Sequence, residues 1–255
     1  MKVLDGKVAV ILGASTRGGI GAATARCFTR AGAKVLVSGR RLEGAQEIAA
    51  EVGGMAVRCD VTREEEVAAL VAAATSHYGR LDVAVNVAGG HASEPLDALT
   101  PETLRRIFEV NVVGPALFIK HCARAMQPGG SIVIVSSHSA QLTTVGIGPY
   151  ACTKAAIERL VEVAAFECGT RGIKVNTLSP SMVYTQMSEP ALNRPGLRQA
   201  YEKETPLGRL ATTDEVAAGA LWLASADCFT TGDRIRVGGG IHLRRFPLAE
   251  EYLTD

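Results

Sequence analysis

Short apolar runs alternate with longer segments of helical spacing along most of this chain. Lys7-Val-Ala-Val-Ile-Leu12 is apolar from its second residue and stops at Gly13. A run of that length, closed by a glycine, predicts a strand buried on both faces. The same signature recurs at Lys34-Val-Leu-Val37, Met55–Asp60, Leu81–Asn86 and Ser131-Ile-Val-Ile-Val-Ser-Ser137. Between these runs, apolar residues recur with the spacing of one helix face over Ala22–Ala31, Leu42–Val52, Glu64–Tyr78, Thr100–Gln127 and Tyr150 to about Arg171. Strands that alternate with helices imply a mostly parallel sheet with helices on both faces. The expected fold is therefore a single-domain, doubly wound α/β sheet over residues 1–255.

Composition narrows the function classes. At 255 residues and 47% hydrophobic content, one domain with a sizeable core is expected. A formal net charge of +1 leaves no electrostatic footprint for nucleic acid or an anionic membrane. The apolar runs stop well short of a membrane span. The N-terminus, Met1-Lys-Val-Leu-Asp-Gly-Lys7, carries an acid where a signal peptide needs an apolar stretch, so a cytoplasmic protein is expected. Cys27, Cys59, Cys122, Cys152, Cys168 and Cys228 show neither zinc-pair nor Cys-x-x-Cys spacing, which predicts free thiols and no metal site. The least regular segment, Pro180 to Pro206, contains Pro190, Pro195 and Gly196. Its loop chemistry follows a strand's C-terminal end, so residues 181–206 are expected to form a mobile substrate lid.

Two local patterns carry candidate chemistry. Gly13-Ala-Ser-Thr-Arg-Gly-Gly-Ile-Gly21 links the first strand to the first helix. Strand, glycine loop and helix together present backbone N–H groups and a helix N-terminus to a phosphate. Further on, Tyr150-Ala-Cys-Thr-Lys154 places a phenol and an ammonium four residues apart on one helix face. A free tyrosine titrates near ~10, too high for ready proton exchange at neutral pH. A lysine beside it is expected to lower that value, and Ser137, at a strand's C-terminal end, can hold a substrate oxygen beside the phenol.

These motifs, in this order, resemble the short-chain dehydrogenase/reductase family over nearly the whole chain. The glycine loop, Asp60 after the third strand, Asn86-Val-Ala-Gly89, Asn111 in Asn111-Val-Val-Gly, and Ser137 with Tyr150-x3-Lys154 all coincide. Pro180-Ser-Met-Val-Tyr-Thr185 resembles the family's segment after the sixth strand, and Thr231-Gly232 and Val237-Gly238-Gly239-Gly240 its C-terminal signature. The resemblance implies a Rossmann-type fold and an enzyme that interconverts a ketone or aldehyde and an alcohol with a nicotinamide cofactor. It implies Asn111, Ser137, Tyr150 and Lys154 as the catalytic set, with Tyr150 as acid/base and Asn111 on a water relay to the lysine. It places Gly13, Ser15, Arg17, Gly19, Ile20, Gly21, Arg40, Asp60, Val61, Asn86, Ala88, Gly89, Tyr150, Lys154, Pro180, Val183 and Thr185 around the cofactor. A homotetramer or homodimer is the family's habit.

Departures from the family pattern sharpen the reading. Five residues separate Gly13 from Gly19, two more than usual; the enoyl-reductase branch has a similar loop, but there Tyr and Lys lie seven apart, and residue 147 here is Ile. Ser181 and Val87 replace a usual Gly and Asn. At the end of the second strand stands Gly39, where an NAD enzyme wants a carboxylate, followed by Arg40-Arg41, so NADP(H) is expected over NAD(H). His91 and His138 each follow a strand's C-terminal end and, with Tyr184, are candidate substrate contacts. A 3-oxoacyl-thioester reductase and a catalytically silent nucleotide-binding regulator are the alternatives. No Gly-x-Ser-x-Gly elbow supports a serine hydrolase. The tail from Ile241 carries Leu243, Phe246, Leu248 and Tyr252, which suggest packing against a neighbouring subunit.

Overall fold

A computed structural model of the chain describes residues 2–252. Its seven strands are β1 (Val8–Leu12), β2 (Lys34–Gly39), β3 (Met55–Arg58), β4 (Val83–Asn86), β5 (Ser131–Val135), β6 (Lys174–Pro180) and β7 (Arg234–Val237). They form one sheet in the order β3-β2-β1-β4-β5-β6-β7, with every neighbouring pair parallel. The helices are α1 (Ile20–Arg30), α2 (Leu42–Val52), α3 (Glu64–Tyr78), α4 (Pro101–Phe108), α5 (Gly114–Ala125), α6 (Gly148–Gly169), α7 (Glu189–Leu192), α8 (Leu197–Glu204) and α9 (Thr213–Ala224).

Side-chain alternation along β1 sorts the core into two layers. Ala9 and Ile11 point to one face, where they meet α1, α2 and α9 through Phe28, Ile48, Val216 and Leu223. Val10 and Leu12 point to the other, against α3, α5 and α6 through Leu70, Phe118, Ile157 and Val161. A sheet covered on both sides explains the continuous apolar runs in its strands.

The strand order reverses at β1, which has β2 on one side and β4 on the other. A crevice opens at such a switch point, outside the C-terminal ends of the strands. Leu12 of β1 is in register with Asn86 of β4, so the turns that follow them lie side by side. Gly13 has φ +93°, and a Cβ there would stand 2.5 Å from the Ala88 nitrogen. The glycine is required by that backbone-on-backbone approach as well as by its left-handed conformation.

Three expectations change in detail. The helical segment Thr100–Gln127 is two helices, α4 and α5, joined by a π-helical turn at Glu109–Val113 that carries Asn111. Hydrophobic period cannot reveal one extra residue per turn; such turns are frequent at functional sites. The segment 181–206 holds α7 and α8, whose Leu197 and Tyr201 form a small core with Ile241 and Phe246. The tail therefore packs on its own chain: Phe246 is buried there and Tyr252 packs against the same cluster, while Leu243 and Leu248 remain exposed. Arg245 ties it further, reaching Glu204 of α8 at 3.1 Å and Glu251 at 2.7 Å.

Candidate active site

The candidate side chains collect where β4, β5 and α6 meet. Lys154 is buried, and its Nζ donates to the Val135 carbonyl at the end of β5, 3.0 Å away. One helical turn earlier, Tyr150 is partly exposed, and the Lys154 ammonium lies 5.6 Å from its ring centre. Ser137 follows β5; its Oγ accepts from the Ser139 backbone N–H at 3.1 Å, which holds it beside the phenol. Asn111 is buried and locks onto the loop after β4: its Oδ1 accepts from Gly90 N–H at 2.8 Å, and its Nδ2 donates to the Gly90 carbonyl at 3.0 Å. The same Nδ2 lies 3.0 Å from Thr153 Oγ1 of α6. Asn111, from the π turn, thus joins Ser137, Tyr150 and Lys154 in one site.

The electrostatics differ from the expectation. Burial raises the Tyr150 pKa above the ordinary tyrosine value, with Ser137 pulling it down. Burial also lowers Lys154 to about 8, opposed by the charge of Glu158. The ammonium that was expected to lower the tyrosine is itself desolvated, and burial makes a cation hold its proton less firmly than it does in water.

The candidate substrate contacts separate into three cases. His91 is exposed at the rim, its ring 5.1 Å from that of Tyr150, and burial of its imidazole lowers its pKa. His138 points away from the opening. It is 1% exposed, neither ring nitrogen makes a hydrogen bond of good geometry, and a Cβ on Gly238 would meet its Nε2 at 2.8 Å. A side chain closed in that way does not line an open pocket; the turn that follows Ser137 as a short 3-10 helix rotates it inward. Tyr184 is half-exposed, with its hydroxyl 3.4 Å from Glu189 on α7.

Along the β1–β4 crevice, the residues fit a dinucleotide. Gly19 caps α1 without any side-chain cap, which leaves the helix's first N–H groups available. A Cβ on Gly21 would stand 2.4 Å from the Gly13 carbonyl, so helix and loop touch through backbone, and Ile20 opens the helix. Asn86 holds the Ala88 N–H at 2.9 Å through Oδ1, while its buried Nδ2 has no partner. A Cβ on Gly89 would approach Asn111 Oδ1 and Lys154 Nζ, so the bare backbone there keeps the crevice open to both side chains. Asp60 accepts from the backbone N–H and the hydroxyl of Thr62, and Val61 behind it packs against Gly114. At the far end, Pro180 closes β6, Val183 bridges to Ala211, and the Thr185 N–H donates to Ser188.

The arginines are distributed differently from the expectation. Arg17 is turned to Glu47 of α2, 3.3 Å away, so its charge is already paired. Arg40 is exposed just past β2 and acts electrostatically on Asp60. It is Arg41 that reaches the glycine loop, with Nη2 donating to Thr16 Oγ1 at 2.6 Å and to the Ser15 carbonyl at 3.2 Å. Ser15, Thr16 and Arg41 line an open cleft of about 550 Å³ together with Gly44 and Gln186. Arg41 was visible in the sequence as the second of two arginines, but spacing alone does not say which one turns inward.

Residues 13–242 match the family model described as enoyl-(acyl carrier protein) reductase. Momilactone A synthase from Oryza sativa subsp. japonica is 39% identical, over 93% of this chain and 90% of that protein. L-fucose dehydrogenase from Oryctolagus cuniculus is 36% identical, over 95% and 87%. A short-chain type dehydrogenase/reductase from Mycobacterium ulcerans superposes with a TM-score of 0.91 at 33% identity, covering 96% of this chain and 92% of that one. With a matching fold and a family model that covers most of its length, the chain belongs to the short-chain dehydrogenase/reductase family, whose members are hydride-transferring oxidoreductases that use a nicotinamide cofactor.

Proposed function

We propose that the protein is an NADP(H)-dependent oxidoreductase that interconverts a ketone or aldehyde and an alcohol, with Tyr150 as the acid/base. The observation that carries this is the placement of a partly exposed Tyr150 between Ser137 and the buried Lys154, beside the β1–β4 crevice. The bound nicotinamide supplies the hydride. The chain's own residues manage the oxygen. Ser137 and Tyr150 donate to the carbonyl oxygen, and Tyr150 gives its proton to the oxygen as negative charge develops there. Lys154 supplies the compensating positive charge, and Asn111 holds the loop at Gly90 so that the site keeps its shape.

The preference for NADP(H) rests on the end of β2. A Cβ at Gly39 would stand 2.7 Å from Ser15 Oγ, so the position has no room for the carboxylate that favours NAD. Arg40 and Arg41 offer the charge that a ribose phosphate needs. Enoyl reduction is disfavoured, because the residue seven before Lys154 is the apolar Ile147. The exposed Phe166 and Val163 on the outer face of α6 support a homodimer or homotetramer, and six free thiols suit a cytoplasmic setting. A turnover assay with NADPH, NADH and a panel of ketones and aldehydes tests the reading. Reduction of at least one carbonyl that disappears in Tyr150→Phe is expected; no turnover with either cofactor would sink it.

A further inference from the structure

Directly behind the catalytic pair lies a buried acid that the reaction as described does not use. Glu158 is one helical turn beyond Lys154 on α6, and its side chain is 4% exposed. Ser136 and Ser179 donate to its Oε1 at 2.7 and 2.9 Å. Gln141 donates to its Oε2 at 2.8 Å, and Arg234 of β7 reaches the same oxygen at 2.6 Å. Two hydroxyls, an amide and a guanidinium surround the group, and a carboxylate has the lone pairs to accept from all four.

The partners are placed with purpose. Ser136 immediately precedes Ser137, and the carbonyl of Val135 before it holds Lys154. Ser179 immediately precedes Pro180, where the chain leaves β6 toward Val183 and Thr185. Gln141 lies in the turn that follows Ser137. One carboxylate therefore gathers the ends of β5 and β6 and the loop between β5 and α6. A buried carboxylate is retained at a desolvation cost, which a purely apolar packing would avoid.

We propose that Glu158 is a positioning residue for catalysis: it fixes the ends of β5 and β6 behind the reactive side chains and places a buried negative charge one helical turn from Lys154. The inference rests on the reading of Tyr150 and Lys154 as the catalytic pair. Other groups face the lysine. Tyr150 lies on its own helix, Asn111 comes from the π turn, and His91 sits across Tyr150 at the rim. On the far side of Glu158 stands Arg234, and His138, with His242 and Arg236 near it, occupies the neighbouring turn. Glu158 is the charged side chain that acts on Lys154, against the burial that lowers the lysine to about 8.

Two substitutions should act with opposite sign. Glu158→Gln keeps the shape and removes the charge, so Lys154 should lose its proton at a pH about one unit lower. Arg234→Gln keeps the carboxylate and removes the cation that offsets it, so Lys154 should hold its proton to higher pH. The readout is the titration of the Lys154 ε-carbon by NMR in the cofactor-free protein with labelled lysine, assigned with Lys154→Arg. The alkaline limb of kcat/KM for carbonyl reduction should move with it in each variant. A lysine that titrates as in the wild type in both variants, or moves in the same direction in both, overturns the proposal and leaves Glu158 a structural tie. If Glu158→Gln does not fold, Arg234→Gln decides alone: an upward shift supports the proposal and no shift overturns it. If the resonance moves and the kinetic limb does not, the catalytic part falls. Absence of carbonyl turnover in the wild type would instead fault the functional reading, because the titration does not depend on activity.

Discussion

Asn111 and Gly90 are joined by a reciprocal pair of hydrogen bonds, N–H to Oδ1 at 2.8 Å and Nδ2–H to carbonyl at 3.0 Å. The pair clamps the loop after β4 to the π turn between α4 and α5. Asn111→Ala would leave both backbone groups of Gly90 without their partner. Each such loss costs about 1–3 kcal/mol when the group stays buried. The expected result is a lower denaturant midpoint with an unchanged slope, together with loss of turnover. A variant as stable and active as the wild type would show that the clamp is dispensable.

Tyr150→Phe keeps the ring and removes the acidic hydroxyl. It should lower kcat by about 10²–10⁴, the usual worth of a positioned acid. Cofactor affinity, followed by fluorescence quenching, should change little. Near-normal turnover on any substrate that the wild type uses would remove tyrosine from the mechanism.

The wild type should prefer NADPH over NADH by about 10²–10³ in kcat/KM. Arg40→Ala and Arg41→Ala should each reduce that ratio, and Arg41→Ala should also loosen the glycine loop by releasing Ser15 and Thr16. Gly39→Asp would be the natural change to recruit NADH, but its Cβ would collide with Ser15. It is expected to weaken binding of both cofactors. Equal kcat/KM with the two cofactors in the unmodified protein would show that the arginines are surface charge only.

His138 predicts an acid-sensitive step. Burial lowers its pKa below the free histidine value, against the opposing pull of the Pro180 carbonyl, and neither ring nitrogen has a partner with ideal geometry. A group whose folded pKa is depressed favours the folded state when neutral. Its contribution is full above about pH 6.5 and is lost as pH falls below that, where the unfolded chain takes up the proton first. Thermal midpoints between pH 7.5 and about pH 5 should fall less in His138→Gln than in the wild type. Parallel curves would assign the acid loss to other groups.

The tail and the lid are predicted to act together. Phe246 packs with Leu197 and Tyr201 of α8, and Arg245 pairs with Glu204. Phe246→Ala should loosen α7 and α8 and raise the rate of limited proteolysis within residues 181–206. Cofactor with substrate should protect the same segment in the wild type. Cleavage confined to other loops, with or without ligand, would count against a lid.

Much was legible in one dimension because the relevant physics is local. A strand buried on both faces must be continuously apolar, so Val8–Leu12 and Ser131–Val135 announce themselves. A backbone that touches a phosphate or another backbone needs glycine, so Gly13 and Gly21 do too. Tyr150 and Lys154 share a helix face by spacing alone. What the tertiary structure decided depends on which side chains lose water and which find partners. The direction of the Tyr150 pKa is opposite to the pairwise expectation because burial, invisible in spacing, raises it against the hydrogen bond from Ser137. Arg17 is spent on Glu47 while Arg41 turns to the loop, and His138 turns inward while His91 stays at the rim. The four donors on Glu158 come from the residue just after β5, from β6, from β7 and from the loop after Ser137, which only the order of strands in the sheet brings to one carboxylate.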